Sequence, residues 1–371
     1  MSERNRRPRL THCRPTKPTQ DGPRVGAGGH YESLVQKAVV TGGAGFIGSH
    51  LCDALVERGV DVIVIDDLST GHRSNLAHLQ DHPRVTVHEL SLPVAQTELV
   101  PLFRGASHVF HLAALADIVP SIERPLDYVR TNVDGTLAAL EAARAAAVPR
   151  FLYAASSSCY GIPEQYPTRE DAPCRPAYPY ALTKYLGEQA VSHWGRVYGL
   201  HTTCLRLFNV YGPRSRTTGT YGAMFGVFLA QKLAGQPYTV VGDGEQSRDF
   251  TYVSDVVDAF LAASAHPNGG DVFNVGTGCP TTVNRITEIL GGPRVHIPKR
   301  PGEPDRTHAD VDRIATVLGW RARIDIETGI AHLLAEIDGF RDAPVWTPET
   351  ITDATRSWFR YLGGSSGVDA A

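Results

Sequence analysis

Short apolar runs alternate with segments whose apolar residues recur every three or four positions. Ala38-Val39-Val40 is a continuous apolar run with β-branched members and predicts a buried strand. Ile47, Leu51, Ala54 and Leu55 then follow the spacing of an amphipathic helix. Val60 to Ile65 predicts a second strand, and "RVTVHEL", "ASHVFHLAAL" and "PRFLYAA" predict three more. Between the last two, "VDGTLAALEAARAAAV" predicts a helix with Val133, Leu137 and Leu140 on one face. "LFNVYG" closes a further apolar strand. Apolar strands alternating with amphipathic helices predict an α/β fold with a doubly wound parallel sheet.

From about Tyr211 the elements shorten and Gly- and Pro-rich connections multiply. This predicts a smaller second α/β domain, interrupted by a return to the first around Asp249 to Ala263. The expected partition gives 37–210, with a return segment at about 249–275, to the first domain. Residues 211–248 and 276–362 go to the second. Residues 1–36 are rich in Arg, Pro, Thr and Gly without apolar periodicity, which predicts a disordered basic leader. Residues 363–371 read as a frayed tail.

Two junctions carry chemistry. Gly42, Gly45 and Gly48 stand between the first strand and first helix at G-x-x-G-x-x-G spacing. A sharp turn into a helix start brings backbone N–H groups close to a pyrophosphate, and only glycine allows that approach. Asp66 and Asp67 end the second strand, Asp66 standing 18 residues after Gly48, near the roughly 20 expected of a ribose-binding acid. A carboxylate there accepts hydrogen bonds from ribose hydroxyls and repels a 2′-phosphate, favouring NAD over NADP. Further along, Tyr180 and Lys184 lie four apart, one helical turn on one face. A free phenol, with a pKa of about 10, is a poor base at neutral pH. A neighbouring ammonium and an oxidised nicotinamide would stabilise its phenolate.

A net charge of -3 gives no reason to expect nucleic acid or a membrane surface as partner. No apolar run is long enough to cross a bilayer, and no apolar signal core follows the charged start. Six cysteines without a C-x-x-C pair argue against zinc and for reduced thiols in a cytoplasmic chain. Fifteen histidines form no ligand-like cluster, so no metal is expected.

The motifs "TGGAGFIGSH", "VIDDLSTG", "HLAAL", "RTNVDGT", "AASSSCYG", "YALTK", "LRLFNVYGP", "GDGEQSRDFTYVSDVVDA", "FNVGTG" and "RPGEPDRTHADVDRI" are quoted in chain order. As a set they resemble the NAD-dependent epimerase/dehydratase family, the extended short-chain dehydrogenases/reductases, from about Lys37 to Leu362. The resemblance implies a Rossmann domain binding NAD and a smaller domain binding a nucleotide-diphosphate sugar. It implies Ser156, Tyr180 and Lys184 as catalytic residues. For the cofactor it implies Gly42, Gly45, Phe46, Ile47, Gly48, Asp66, Asp67, Glu89, Leu90, Ala113 and Asn132, with Tyr180 and Lys184. Glu89 stands where the family has an adenine-contacting aspartate. For the substrate it implies Ser156, Ser158, Asn209, Arg248, Arg300, Glu303 and Thr307, the arginines clamping the diphosphate as planar forks suited to phosphate.

Ser157 and Ser158 stand where the family's 4,6-dehydratases carry an Asp-Glu pair, and its sugar decarboxylases keep a glutamate at the second position. Elimination needs an acid and a base; hydroxyls suffice for a 4-epimerase, which only oxidises and re-reduces C4. The resemblance therefore implies a 4-epimerase of UDP-hexoses or UDP-N-acetylhexosamines. A lyase or reductase on a similar nucleotide sugar, and a non-catalytic dinucleotide-binding regulator, remain the alternatives. Thr307, small where plain-hexose enzymes tend to carry tyrosine, implies room for an acetamido group. Cys159 is one position off the cysteine of the family's epimerase-reductases and is given no catalytic role. The family commonly dimerises through two helices per subunit, here the one after Asn132 and the one carrying Tyr180 to Val191.

Overall fold

The computed structural model describes residues 35–215 and 224–363. The expected leader and tail therefore lie outside the described residues, except for residues 35, 36 and 363. Seven strands form one sheet: β1 (Lys37–Thr41), β2 (Asp61–Asp66), β3 (Val85–Glu89), β4 (His108–His111), β5 (Arg150–Ser156), β6 (His201–Leu207) and β7 (Asp271–Val275). Their order is β7-β6-β5-β4-β1-β2-β3, and every pairing is parallel. The chain winds outward from β1 to β3, then returns to the other side of β1. That reversal opens a crevice at the carboxyl ends of β1 and β4.

Helices cover both faces, which is why the inner strands are apolar at successive positions rather than at alternate ones. On one face, α1 (Phe46–Glu57) and α4 (Val253–Ala265) bury Leu51, Leu55, Val256 and Phe260 against Val40, Phe110 and Leu205. On the other, α2 (Gly135–Ala145) and α3 (Pro179–Tyr198) bury Leu140, Ala143 and Val191 against Val39, Val109 and Phe151. The edge strand β3 is the exception, with no residue buried.

Two details differ from the sequence expectation. The buried face of α2 is Thr136, Ala139, Leu140 and Ala143, while Val133 and Leu137 are only half-buried. Small side chains let this helix lie close against its neighbours, so alanines join Leu140 in the contact in place of Val133 and Leu137. The helix is also preceded by a π-helical segment, Val129–Asp134. Second, the strand ending in "LFNVYG" breaks at Phe208. Phe208 N–H still bonds the Val275 carbonyl, but Asn209–Tyr211 then pairs with Phe250–Tyr252 outside the main sheet.

A third apolar cluster, including Tyr211, Phe228, Tyr238, Ile286 and Leu333, packs against Phe46 and Ile47 at the start of α1. Its strands are short: Tyr238–Val241 pairs with Arg294–Ile297, and Ser247–Arg248 with Thr281–Thr282. Asp249, fully buried, joins this part to the crevice by accepting from the N–H groups of Thr277, Gly278 and Ala309 at 2.7–3.0 Å. Among the described residues no helix is long and apolar enough to cross a membrane, and no cluster of His, Cys, Asp and Glu is arranged to hold a metal ion.

Candidate active site

A cavity of about 660 Å³ runs from the crevice to the smaller part of the molecule. Its floor is the row of strand ends: Gly42 after β1, Asp66 on β2, Leu90 after β3, Leu112 and Ala113 after β4, and Ser156 on β5. Gly42 has φ +71°, and a Cβ there would fall 2.6 Å from the Ala113 nitrogen. A Cβ on Gly48 would strike the Gly42 carbonyl oxygen. These glycines keep α1 and the first turn tight, so that the N-terminal end of α1 opens on the cavity with no side chain capping it. Phe46 and Ile47 line the cavity at the same point.

The Asp66 carboxylate is held by the N–H groups of Ala44 and Leu68, each at 2.9 Å. Burial pushes its pKa up, and these N–H groups pull it back. Asp67, exposed, accepts from Ser69 and from the Ser91 hydroxyl. A loop start with unpaired helix N–H groups, next to a fixed carboxylate, fits the pyrophosphate and ribose of a dinucleotide.

At the end of β5, Ser156 caps the short 3₁₀ turn Ser157–Tyr160 by accepting the Ser158 N–H at 3.2 Å. The Ser156 and Ser158 hydroxyls are 2.8 Å apart. Tyr180 and Lys184, one turn apart on α3, both line the cavity. Burial raises the Tyr180 phenol, and hydrogen bonding with Ser156 opposes that rise. Lys184 is buried, its Nζ 4.2 Å from the centre of the Tyr153 ring rather than against Tyr180. Desolvation draws its ammonium down to about 7, with Cys204 and Glu188 acting in the opposite sense. So Ser156, and not the lysine, tempers the phenol in this structure.

Opposite these groups, Arg248 donates to Glu303 Oε1 at 2.7 Å, and an Arg300 nitrogen lies 3.9 Å from Glu303 Oε2. The two guanidinium groups thus converge on one carboxylate. Among the described residues Glu303 Oε2 is buried without a hydrogen-bond donor, leaving an acceptor suited to a hydroxyl. Asn209, delivered by the break after β6, accepts from the Thr307 hydroxyl at 3.1 Å. Thr307 Oγ1 also accepts the Asp249 N–H.

Two of the sequence-derived candidates do not line this cavity. Glu89 is exposed and ion-paired with Arg73. Asn132 is buried in the core beneath the loop after β4, where its amide bonds both backbone groups of Leu115 and the Thr183 hydroxyl. The cavity also has walls that the sequence reading missed. Tyr178 stacks on Tyr180, ring centres 6.4 Å apart and planes 11° apart, and packs against Trp358 at 6.4 Å. Trp358 in turn lies under the Arg300 guanidinium. Asp117, from the loop after β4, lines the cavity and acts electrostatically on Tyr180. Tyr178, directly before the helix start, was findable from its closeness to Tyr180; Trp358, far along the chain, had no local signal.

The NAD dependent epimerase/dehydratase family matches residues 38–276. A UDP-glucose 4-epimerase of Mycolicibacterium smegmatis is 37% identical over 304 residues, which cover 80% of this chain and 96% of that protein. The structure of UDP-N-acetylglucosamine 4-epimerase from Methanobrevibacter ruminantium, in complex with UDP-N-acetylmuramic acid, superposes with a TM-score of 0.76 at 31% identity, covering 81% of this chain and 99% of that one. UDP-glucuronic acid 4-epimerase from Bacillus cereus, in complex with UDP-glucuronic acid and NAD, gives a TM-score of 0.74 at 30% identity, with coverages of 82% and 99%.

Proposed function

Because the chain belongs to the NAD-dependent epimerase/dehydratase family, we propose that it is a nucleotide-sugar 4-epimerase. It inverts C4 of a UDP-hexose or UDP-N-acetylhexosamine through a 4-keto intermediate. NAD, when bound there, would supply the redox chemistry for oxidising C4 and reducing it again. The glycine loop and the start of α1 would hold the pyrophosphate, and Asp66 would take the adenosine ribose hydroxyls. Phe46, Ile47, Leu90 and Ala113 line the same groove. Tyr180, as phenolate, removes the proton of the C4 hydroxyl, and Ser156 hydrogen-bonds the same oxygen. Lys184, one turn along α3 from Tyr180 with its Nζ over the Tyr153 ring, would hold the nicotinamide ribose. Arg248 and Arg300 grip the diphosphate, Asn209 steadies it, and Glu303 receives a ribose hydroxyl. A sugar held only through its diphosphate is free to turn and present its opposite face to the cofactor groove.

The observation that carries this reading is the hydroxyl pair Ser156–Ser158, 2.8 Å apart beside Tyr180, with no carboxylate in the 3₁₀ turn. Asp117 supports a second reading, a 4,6-elimination, because it supplies an acid within range of Tyr180. The test is to incubate the purified protein with UDP-Glc and UDP-GlcNAc and resolve products by NMR. Epimerisation gives a mixture of C4 epimers, whereas an accumulating 4-keto-6-deoxy sugar would establish elimination. Tyr180→Phe is expected to lower kcat by about 10²- to 10⁴-fold while retaining UDP-sugar binding by calorimetry. Near-wild-type turnover in that variant would overturn the assignment.

We also assign a homodimer through α2 and α3, since Leu182 and Leu186 stand exposed one turn apart on α3.

A further inference from the structure

The six cysteines are scattered along the sequence without a C-x-x-C pair, yet folding brings two of them together beside the candidate active site. Cys159 sits in the 3₁₀ turn directly after Ser158, buried against Tyr160, Phe208 and Ala309. Cys174 lies half-buried in the loop that leads from this turn to α3, with its Sγ 3.7 Å from the Cys159 Sγ. We propose that Cys159 and Cys174 form a dithiol oxidation site for hydroperoxides, and that its disulfide stops turnover by displacing the Ser156–Ser158 turn. The loss of turnover rests on the functional reading above; the linkage itself does not.

The two sulfurs are unequal, as such chemistry requires. Cys174 is the more exposed. Its hydrogen bond with Cys159 draws its thiol down to about 7 against the effect of burial, and the Arg206 guanidinium assists. Cys159 is driven far up by the same hydrogen bond and by burial, so it stays a thiol. The nucleophile is therefore the Cys174 thiolate. It attacks the O–O bond of the hydroperoxide: an S–O bond forms, the O–O bond breaks, and the departing alkoxide takes a proton and leaves as alcohol. Cys159 then attacks the sulfenic sulfur of Cys174. The S–S bond forms, the S–O bond breaks, and hydroxide leaves with the Cys159 proton as water. Two thiols and one hydroperoxide give one disulfide, one alcohol and one water.

A disulfide needs its sulfurs at about 2.05 Å, so the 3.7 Å pair must close substantially. Cys159 adjoins Ser158, whose N–H and hydroxyl both bond Ser156. A pull on Cys159 is thus transmitted directly to the hydroxyl proposed to meet the C4 oxygen. A misplacement of about 1 Å costs on the order of 10²-fold in rate.

The test uses the full chain. Protein is treated with hydrogen peroxide, remaining thiols are alkylated, and peptides are mapped by mass spectrometry while epimerase activity is followed. The expected result is a Cys159–Cys174 linkage, with turnover falling about 100-fold in proportion to the linked fraction and returning with dithiothreitol. Cys174→Ser should keep the turnover of the reduced enzyme and become insensitive to peroxide. No such linkage, linkage without loss of turnover, or a Cys174→Ser enzyme as sensitive as wild type would overturn the proposal. Should Cys174→Ser fail to fold, the wild-type map read against activity still decides. A protein inactive on every nucleotide sugar before oxidation would fault the functional reading alone, because the linkage is read by mass.

Discussion

Thr307 illustrates how one side chain can serve both frame and site. Its hydroxyl ties Asn209 to the Asp249 backbone, and the residue lines the cavity, beside the sugar's C2 substituent on the proposed reading. A tyrosine there would occupy the space an acetamido group needs while the sugar turns. Thr307→Tyr is therefore expected to lower kcat/KM for UDP-GlcNAc and UDP-GalNAc at least about 10-fold more than for UDP-Glc and UDP-Gal. Equal losses on both classes would show that the lost hydrogen bonds, and not the lost space, set the effect. The positions of candidate residues were legible in the sequence where chemistry imposes a spacing. Tyr180 and Lys184 are one helical turn apart, and Gly42 and Gly48 shape a single loop. Asn132 and Glu89 show the limit. Their sequence context matched a cofactor contact, but burial took one into the core and an ion pair took the other to the surface.

At the scale of elements, α2 and α3 pack side by side and leave Leu182 and Leu186 exposed at 45% and 41%. Two leucines one turn apart on an exposed helix face form an apolar stripe suited to a second copy. The double variant Leu182→Glu/Leu186→Glu would place two carboxylates in that interface. Its light-scattering mass is expected near the 40.2 kDa of one chain, while the wild type gives twice that value. A wild-type mass of one chain would remove the proposed dimer. The helices themselves were legible from apolar periodicity. The face α2 buries was not, because periodicity favours large residues and this contact is made by Ala139 and Ala143.

The whole molecule carries its own pH dependence. His108 and His111 are buried on β4, His108 bonded to the Ser264 carbonyl and His111 between the Thr41 and Thr136 hydroxyls. Desolvation lowers them to about 4 and about 3. Both are neutral in the fold, whereas the unfolded chain protonates them below about pH 6.5. Their contribution to stability is thus complete above that pH and is lost as pH falls toward the folded values. Each group makes the fall steeper by up to about 1.4 kcal/mol per pH unit. His108→Gln should flatten the decline in unfolding free energy between roughly pH 6 and pH 4.5, as measured by urea titration. An unchanged slope would mean that His108 is protonated in the fold.

By itself the amino-acid sequence determined the alternation of strand and helix, the glycine loop, the acid ending β2, and the tyrosine–lysine turn of α3. These are local properties, set by a period of two or 3.6 residues and by which residue can occupy a tight turn. Only the tertiary structure decided which distant residues meet. The reversal of strand order at β1 gathers Gly42, Asp66, Ala113 and Ser156 at one edge. The break at Phe208 brings Asn209 to Thr307, and the C-terminal helix Arg356–Leu362 sets Trp358 beneath Arg300. The loop before α3 brings Cys174 to Cys159. No spacing along the chain encodes such meetings, because they depend on how whole layers bury their apolar faces against one another.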